Sequence, residues 1–352
     1  MARDRAREAA GGPRVAGIEL AAGGVRAVVA RAEGGRLRVV GRGETALAVD
    51  AIAGGLVVEP EAVTRAVAAA LAAAERGVPS ERTVIAIDGD DVRTYHVRTP
   101  FDREESATPI VRAEADRATR EAREEAARVA QTAVADDPAL RGVATARLTD
   151  AVAALVLDGR DLDSIEGYHG RALEVHTDVA VAPLVLSGAA LATVASRRRP
   201  TAVPGIYGLA RLVAASGIAD AGAVRVGADV TALAIVRERR VVGTRVFGLG
   251  RDAFTAREDT REEDARVWAE IVALPLNDNA QPPERWLFVG LPEALLALPN
   301  ALAKIVGEAR GGAARIGPLT PSVTSRAFSD VPLNAEDLVA AGAAALLTEV
   351  YT

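Results

Sequence analysis

The chain is 352 residues long, with 42 Lys and Arg against 48 Asp and Glu; this net charge of −6 argues against the basic face of a nucleic-acid binder. It has no Cys, which excludes thiol catalysis, disulfides and zinc–thiolate sites. A hydrophobic fraction of 49% with only 3% aromatics implies a core of Ala, Val and Leu, in a soluble chain long enough for two lobes.

The single lysine, Lys304, sits in the apolar stretch ALAKIVG, so no Walker-type phosphate loop can be assembled. No segment reaches 18 uninterrupted apolar residues. Residues 1–14, MARDRAREAAGGPR, lack the hydrophobic block of a signal peptide and read as a flexible tail. A cytoplasmic location is expected.

From Val15 the chain reads as strand (VAGIEL), Gly-containing turn, strand (VRAVVARA), hairpin turn and strand (RLRVVGRGETAL). EPEAVTRAVAAALAAAER (59–76) has a first-turn proline and an apolar face, which predicts a helix ended by Gly77. TVIAID (83–88) is the next strand. Residues 93–183 read as an insert: a strand, a charged helix over 110–135, then two strands joined by the polar loop RDLDSIEGYHG. Helices near 184–196 and 205–216 lead to VRVGADVTALAIVRERRVVGTRVFGLG (224–250), a second copy of the opening strand plan. Helical segments, the strand RWLFVG (285–290) and a closing helix capped by Asn334 follow. Two copies of one plan indicate internal duplication.

Other chemistry has little support. His96, His169 and His176 lack metal-ligand spacing, so no metal site is expected. Glu258, Asp259, Glu262, Glu263 and Asp264 read as a solvated helix start, and Arg197–Arg199 as a solvated turn. Asp158, Asp161 and Asp163 lack the Gly and Glu of a calcium loop.

Strand–strand–strand–helix–strand, present twice with an insert in the first copy, resembles the actin-like ATPase superfamily, and within it the FtsA-like and PilM-like members. The quoted 15–46 and 224–250 repeats, GIYGLARLV before the second repeat, GTRVFGLGRDAFT within it and the terminal AEDLVAAGAAALL carry the resemblance, which spans about residues 15–350. It implies an α/β, ribonuclease-H-like duplicated fold. The first lobe would comprise 15–92 with 184–204, the insert 93–183 and the second lobe 205–352. Nucleotide would bind between the lobes, at Glu19, Gly23 and Gly24 of the first phosphate loop, Arg225, Gly227, Asp229 and Thr231 of the second, and Gly290 of the adenosine motif.

The family's loops read roughly Asp-Ile-Gly-Thr/Ser-x-x-x-Lys/Arg and Asp-Ile-Gly-Gly-Gly-Thr-Thr-Asp. In this chain Glu19 keeps a carboxylate, but Ala21 replaces a glycine that lets phosphate approach the backbone. Arg225 stands for the second leading carboxylate, Ala228 and Asp229 for glycines, Val230 for a hydroxyl and Ala232 for the last Asp. At about 4 Å and an effective dielectric near 20, Asp229 facing a phosphate would cost roughly 4 kcal/mol. Leu291 and Pro292 alter the adenosine motif, with Leu291 expected where the base would lie.

The expected function is therefore an FtsA-like division or envelope-assembly adaptor with degenerate loops and no efficient ATP hydrolysis. Its partners would be cytoskeletal, division or pilus-assembly proteins, or further copies in a homo-polymer, met through the insert and its helix. The chain stops at Thr352 after the closing helix, so membrane contact is expected only through a partner. The alternatives are an ATPase binding ATP and magnesium, with Arg225 in direct phosphate contact, a PilM-like pilus or secretion protein, or a small-molecule kinase using Asp88 or Asp90 as base.

Overall fold

VAGIEL is buried at every position without alternation, which requires a strand covered on both faces. The computed structural model describes residues 12–34, 36–48, 50–197, 200–255, 261–274, 281–291, 295–325, 327–329 and 333–348. The expectations for residues 1–11, Arg198, Arg199, Glu258, Asp259 and Pro292 lie outside these. The chain divides into two compact units, 1–90 with 185–351, and 91–184.

The first unit opens with β1 (Val15–Ala21), β2 (Gly24–Glu33) and β3 (Arg36–Ala46), followed by a small hairpin, β4 (Ile52–Ala53) and β5 (Leu56–Val57). Helix α1 (Pro60–Glu75) starts on Pro60 and ends where Arg76 and Gly77 turn left-handed; β6 (Arg82–Ile87) follows. The second unit contains β7 (Arg93–Asp102), α2 (Arg112–Asp136), β8 (Thr145–Leu157), β9 (Arg160–Leu162) and β10 (Ala172–Pro183). Back in the first unit come α3 (Leu184–Ala192), β11 (Thr201–Pro204), α4 (Gly205–Ala215), β12 (Ala221–Val226), β13 (Thr231–Arg237) and β14 (Arg240–Phe247). After these, α5 (Asp252–Thr255), α6 (Arg261–Ala273), β15 (Arg285–Val289), α7 (Ala297–Arg310), β16 (Arg315–Pro318), β17 (Phe328–Ser329), a 3₁₀ turn (Ala335–Asp337) and α8 (Leu338–Leu346) complete it.

The duplication is visible in the sheets. One has the order β11-β6-β1-β2-β3-β17 and the other β14-β13-β12-β15-β16, so β1, β2, β3, β6 and β11 match β12, β13, β14, β15 and β16. In each, the first three strands are antiparallel and the later ones join in parallel. The closing helices of the two halves, α4 and α8, meet where a Cβ on Gly342 would lie 2.6 Å from the Gly208 carbonyl oxygen. One hydrophobic cluster runs from Val28 and Leu37 through Tyr207, Leu212 and Val339 to Val236 and Val246.

In the second unit the sheet order is β7-β10-β8-β9, all antiparallel. Helix α2 lies on one face through Ala118, Ala122, Ala126 and Ala130, a stripe every fourth residue whose small side chains allow close approach.

Several elements depart from the sequence reading. The β4–β5 hairpin, β9, β11 and β17 were not expected; each has two to four residues, too short for a periodic signal. GGAARIGPLTP, which reads as a loop or an edge strand, supplies a parallel edge strand, β16. Arg197 is not a solvated turn residue: its guanidinium pairs with both oxygens of the buried Glu75 at 2.7 and 3.0 Å, so a surface-looking basic run anchors to the end of α1.

Gly17 on β1 admits no side chain, because its Cβ would lie 2.0 Å from the Ala340 carbonyl oxygen in α8. Gly17→Val should therefore prevent cooperative folding, whereas Gly188→Ala, in an exposed helical position with no atom within 4 Å, should stabilise by about 0.5–1 kcal/mol. Thermal unfolding followed by circular dichroism checks both.

Candidate functional site

The middle strands of both large sheets of the first unit end in a charged residue. Glu19 lies near the C-terminal end of β1, flanked by Arg26 on β2 and Ala86 on β6. Arg225 lies near the C-terminal end of β12, flanked by Ala232 on β13 and Val289 on β15. Asp88 follows β6 directly. Crevices beyond the carboxyl ends of strands are where open α/β sheets bind ligands.

These three side chains come together and are buried, with exposures of 3% for Glu19, 6% for Arg225 and 7% for Asp88. Arg225 forms an ion pair with Glu19 Oε1, and its Nη1 lies 3.8 Å from Asp88 Oδ2. Asp88 Oδ1 also accepts the Ile206 backbone N–H at 3.0 Å, so the carboxylate caps the N-terminus of α4. Gly205 makes this possible, since a Cβ there would lie 2.5 Å from Asp88 Oδ2. A second layer surrounds the pair: Arg26 lies 3.8 Å from Glu19 Oε2, 3.1 Å from Glu44 and 3.7 Å from Glu336. Arg42 Nε lies 3.0 Å from the buried Asp337, which also accepts the Asn334 N–H at 2.8 Å.

Burial raises the Asp88 carboxyl to about 6, against the opposing pull of Arg225 and the Ile206 N–H, with Glu19 adding to the rise. Burial works against the Arg225 charge, yet Glu19 and then Asp88 hold its pKa above the ordinary value. Asp337 is likewise raised by burial, opposed by Asn334 and Arg42.

The predicted second loop is turned inward. The Gly227 N–H donates to the Val230 carbonyl at 2.8 Å. The Gly227 and Ala228 carbonyls accept the Arg251 and Asp252 N–H groups, each at 2.9 Å. Gly250 is required here, because its Cβ would lie 2.3 Å from the Ala228 oxygen. The Thr231 hydroxyl, fully buried, donates to the Leu249 carbonyl at 2.7 Å and accepts the Trp268 indole N–H at 3.1 Å. Asp229 points across to the first half, where its Oδ2 accepts the Gly54 N–H of the β4–β5 turn at 2.6 Å. That turn packs on Asp88 so closely that a Cβ on Gly55 would lie 2.0 Å from the Asp88 carbonyl oxygen.

The remaining predicted residues are spread around this centre. Gly23, with φ of +90°, lies in the β1–β2 turn and Gly24 opens β2, and the Gly23 carbonyl accepts the Leu47 N–H at 3.1 Å. Gly290, with φ of +78°, approaches the end of β12, where its Cβ would lie 2.6 Å from the Val226 oxygen. Leu291, expected in the place of a base, instead packs against the Trp268–Trp286–Phe288 cluster. In the sequence Asp88 reads only as the base of a small-molecule kinase, and its position after an apolar strand is the available signal. Arg26 stands at the closing Lys/Arg position of the family's first-loop pattern, whereas Gly54 and Glu336 give no signal, because their partners lie far along the chain. Among the described residues no group of three His, Asp or Glu side chains is placed to hold a metal ion, and no helix is long and apolar enough to cross a membrane.

No family profile matches this sequence, and no curated protein matches it. Solved structures do. A chain of the PilM–PilN type IV pilus biogenesis complex is similar over 95% of this chain and 98% of its own, with a TM-score of 0.57 and 19% identity. EutJ, an ethanolamine utilization protein from Carboxydothermus hydrogenoformans, is similar over 94% of this chain and 89% of its own (TM-score 0.44, 14% identity). The cytoplasmic domain of EpsL, an inner-membrane component of the type II secretion system of Vibrio cholerae, is similar over 92% and 97% (TM-score 0.37, 11% identity). The chain has the two-lobed actin-like fold.

Removing one partner of a buried ion pair strands the other. Arg225→Met should destabilise by about 3–5 kcal/mol in denaturant unfolding, and adding Glu19→Gln should restore part of that loss. Asp88 also sets a pH dependence. The folded protein holds its proton up to about pH 6, whereas the unfolded chain releases it near 3.8, so this group's contribution to stability falls as pH rises from 4 to 6. Asp88→Asn should flatten that part of the stability–pH curve relative to the unsubstituted protein.

Proposed function

We propose that this chain is an actin-like assembly adaptor of the pilus or secretion type, holding partners through its surfaces without running an ATP cycle. The observation that carries this reading is Arg225, buried between Glu19 and Asp88 at the strand ends where the fold would take a magnesium–triphosphate. The residues do not fit that group. A guanidinium already supplies the positive charge between the carboxylates, and the Gly227 N–H and Thr231 hydroxyl already have partners inside the chain. Asp229 is likewise engaged within the chain, its carboxylate accepting the Gly54 N–H across the two halves, so the loop is tied down.

The full-length similarity to a chain of a pilus biogenesis complex favours a pilus or secretion role over the division role expected from the FtsA resemblance. Partners would be assembly proteins, and any association with a membrane would run through them. Titration calorimetry with ATP and magnesium should give no binding heat at millimolar nucleotide. Saturable magnesium-dependent binding would overturn the reading. If Arg225→Ala abolished that binding while leaving the melting transition cooperative, the cleft would be an arginine-based nucleotide site instead.

A further inference from the structure

Outside the buried ion pair, an exposed contact also ties the two halves of the first unit together. The β4–β5 hairpin turns on Gly54 and Gly55, whose φ values of +57° and +83° are the left-handed pair that a tight two-residue turn requires. Its base is pinned: Ala51, Ile52 and Val57 are buried, and the Ala51 carbonyl accepts the Val58 and Glu59 N–H groups at 2.9 and 3.1 Å. Its tip is not, because Ala53 and Gly54 are exposed. Among the described residues, the one hydrogen bond from 52–57 to the rest of the chain runs from the Gly54 N–H to Asp229 Oδ2, at 2.6 Å.

The two ends of this contact differ in firmness. Asp229 projects from a turn that is itself fixed, by the Gly227 N–H on Val230 and by the Arg251 and Asp252 N–H groups on the Gly227 and Ala228 carbonyls. The hairpin tip has a single charge-assisted bond, and an exposed segment held so lightly belongs to the least stable end of a fold. Beneath the tip lies Asp88. A Cβ on Gly55 would be 2.0 Å from the Asp88 carbonyl oxygen and 2.9 Å from its carbonyl carbon, so the hairpin backbone rests directly on the Asp88 backbone. Asp88 in turn accepts the Ile206 N–H at 3.0 Å and stands 3.8 Å from Arg225. Asp229, the hairpin tip, Asp88 and the first turn of α4 therefore touch in series.

We propose that the β4–β5 hairpin is a strap between the halves, fastened by Gly54 to Asp229, and that unfastening it frees Asp88 and loosens its hold on α4 and Arg225. The strap is a switch point that needs no nucleotide: whatever engages the Asp229 carboxylate or lifts the tip is felt at Asp88. This inference goes beyond the adaptor reading and stands without it, because every contact in the series lies within the chain.

The test is residue-resolved hydrogen exchange on the full chain and on two variants that attack the strap from opposite sides. Asp229→Ala removes the acceptor. Gly55→Ala leaves Asp229 intact but forces a Cβ against the Asp88 carbonyl, at a left-handed position. Each should speed exchange of the Gly54 N–H at least about tenfold, and of the Ile206 N–H by a similar factor, with unfolding still cooperative. Asp229→Asn, which keeps a carbonyl oxygen for the Gly54 N–H, should recover most of the protection. Faster exchange at Gly54 with Ile206 as slow as in the unsubstituted protein would overturn the proposal, since nothing would then pass from the tip to α4. So would unchanged exchange at Gly54 in Asp229→Ala, or an equal acceleration throughout β1 and β12, which reports a loss of overall stability alone. Asp229→Ala and Asp229→Asn decide the matter by themselves should Gly55→Ala fail to fold. Calorimetry with ATP is a separate readout, so failure of the strap and failure of the adaptor reading are distinguishable.

Discussion

The ion pair between Arg225 and Glu19 joins the middle strands of the two large sheets, and the order at their carboxyl ends depends on it. Each charge taken from water costs several kcal/mol unless a partner is held in good geometry. A guanidinium meets this demand better than a lysine would, because its planar fork reaches two carboxylates from a fixed position. The second carboxylate, Asp88, is fixed in turn by the first turn of α4. Charge, helix start and strand ends therefore form one unit, and the lobes cannot part without exposing or orphaning all three groups.

Around this unit the packing relies on missing side chains. Gly17, Gly208 and Gly342 lie where backbone from another element crowds a Cβ, and Gly205 lies where the Asp88 carboxylate does. With so few aromatics, the core gains its contacts from short distances between backbones rather than from large side chains. Alanine serves the same purpose on α2, where the stripe from Ala118 to Ala130 lets the helix settle on β10 and β7.

Much of this was legible in the amino-acid order. The buried runs of β1 and β12, the amphipathic α1 and the charged α2 announce themselves by periodicity, and their repetition predicts the paired sheets. The two loops that carry the resemblance hold Glu19 and Arg225, and these side chains meet. What the order does not encode is pairing over long separations. Arg225 reads as a lost carboxylate until Asp88, far earlier in the chain, is seen beside it. Asp229 reads as a charge aimed at a ligand until Gly54 supplies its N–H. Leu291 reads as an obstruction, but after the turn at Gly290 it packs, half-buried, against the core. Short strands such as β11 and β17 exist only because a neighbouring edge is there to receive them.

Strand β17 and helix α8 also bear on how the molecule can be made. Phe328 and Ser329 pair with Leu37 and Arg38 at the edge of the first sheet, and α8 lies on β1 against Gly17. Both come from the last twenty-five or so residues of the 352-residue chain. As the chain leaves the ribosome, the first sheet is complete neither at its edge nor on its helix-facing side until residues 328–346 have emerged. The amino-terminal half must wait, partly uncovered, for the carboxyl-terminal half. The duplicated lobes therefore cannot mature one after the other like beads on a string, because the first is finished by elements of the second.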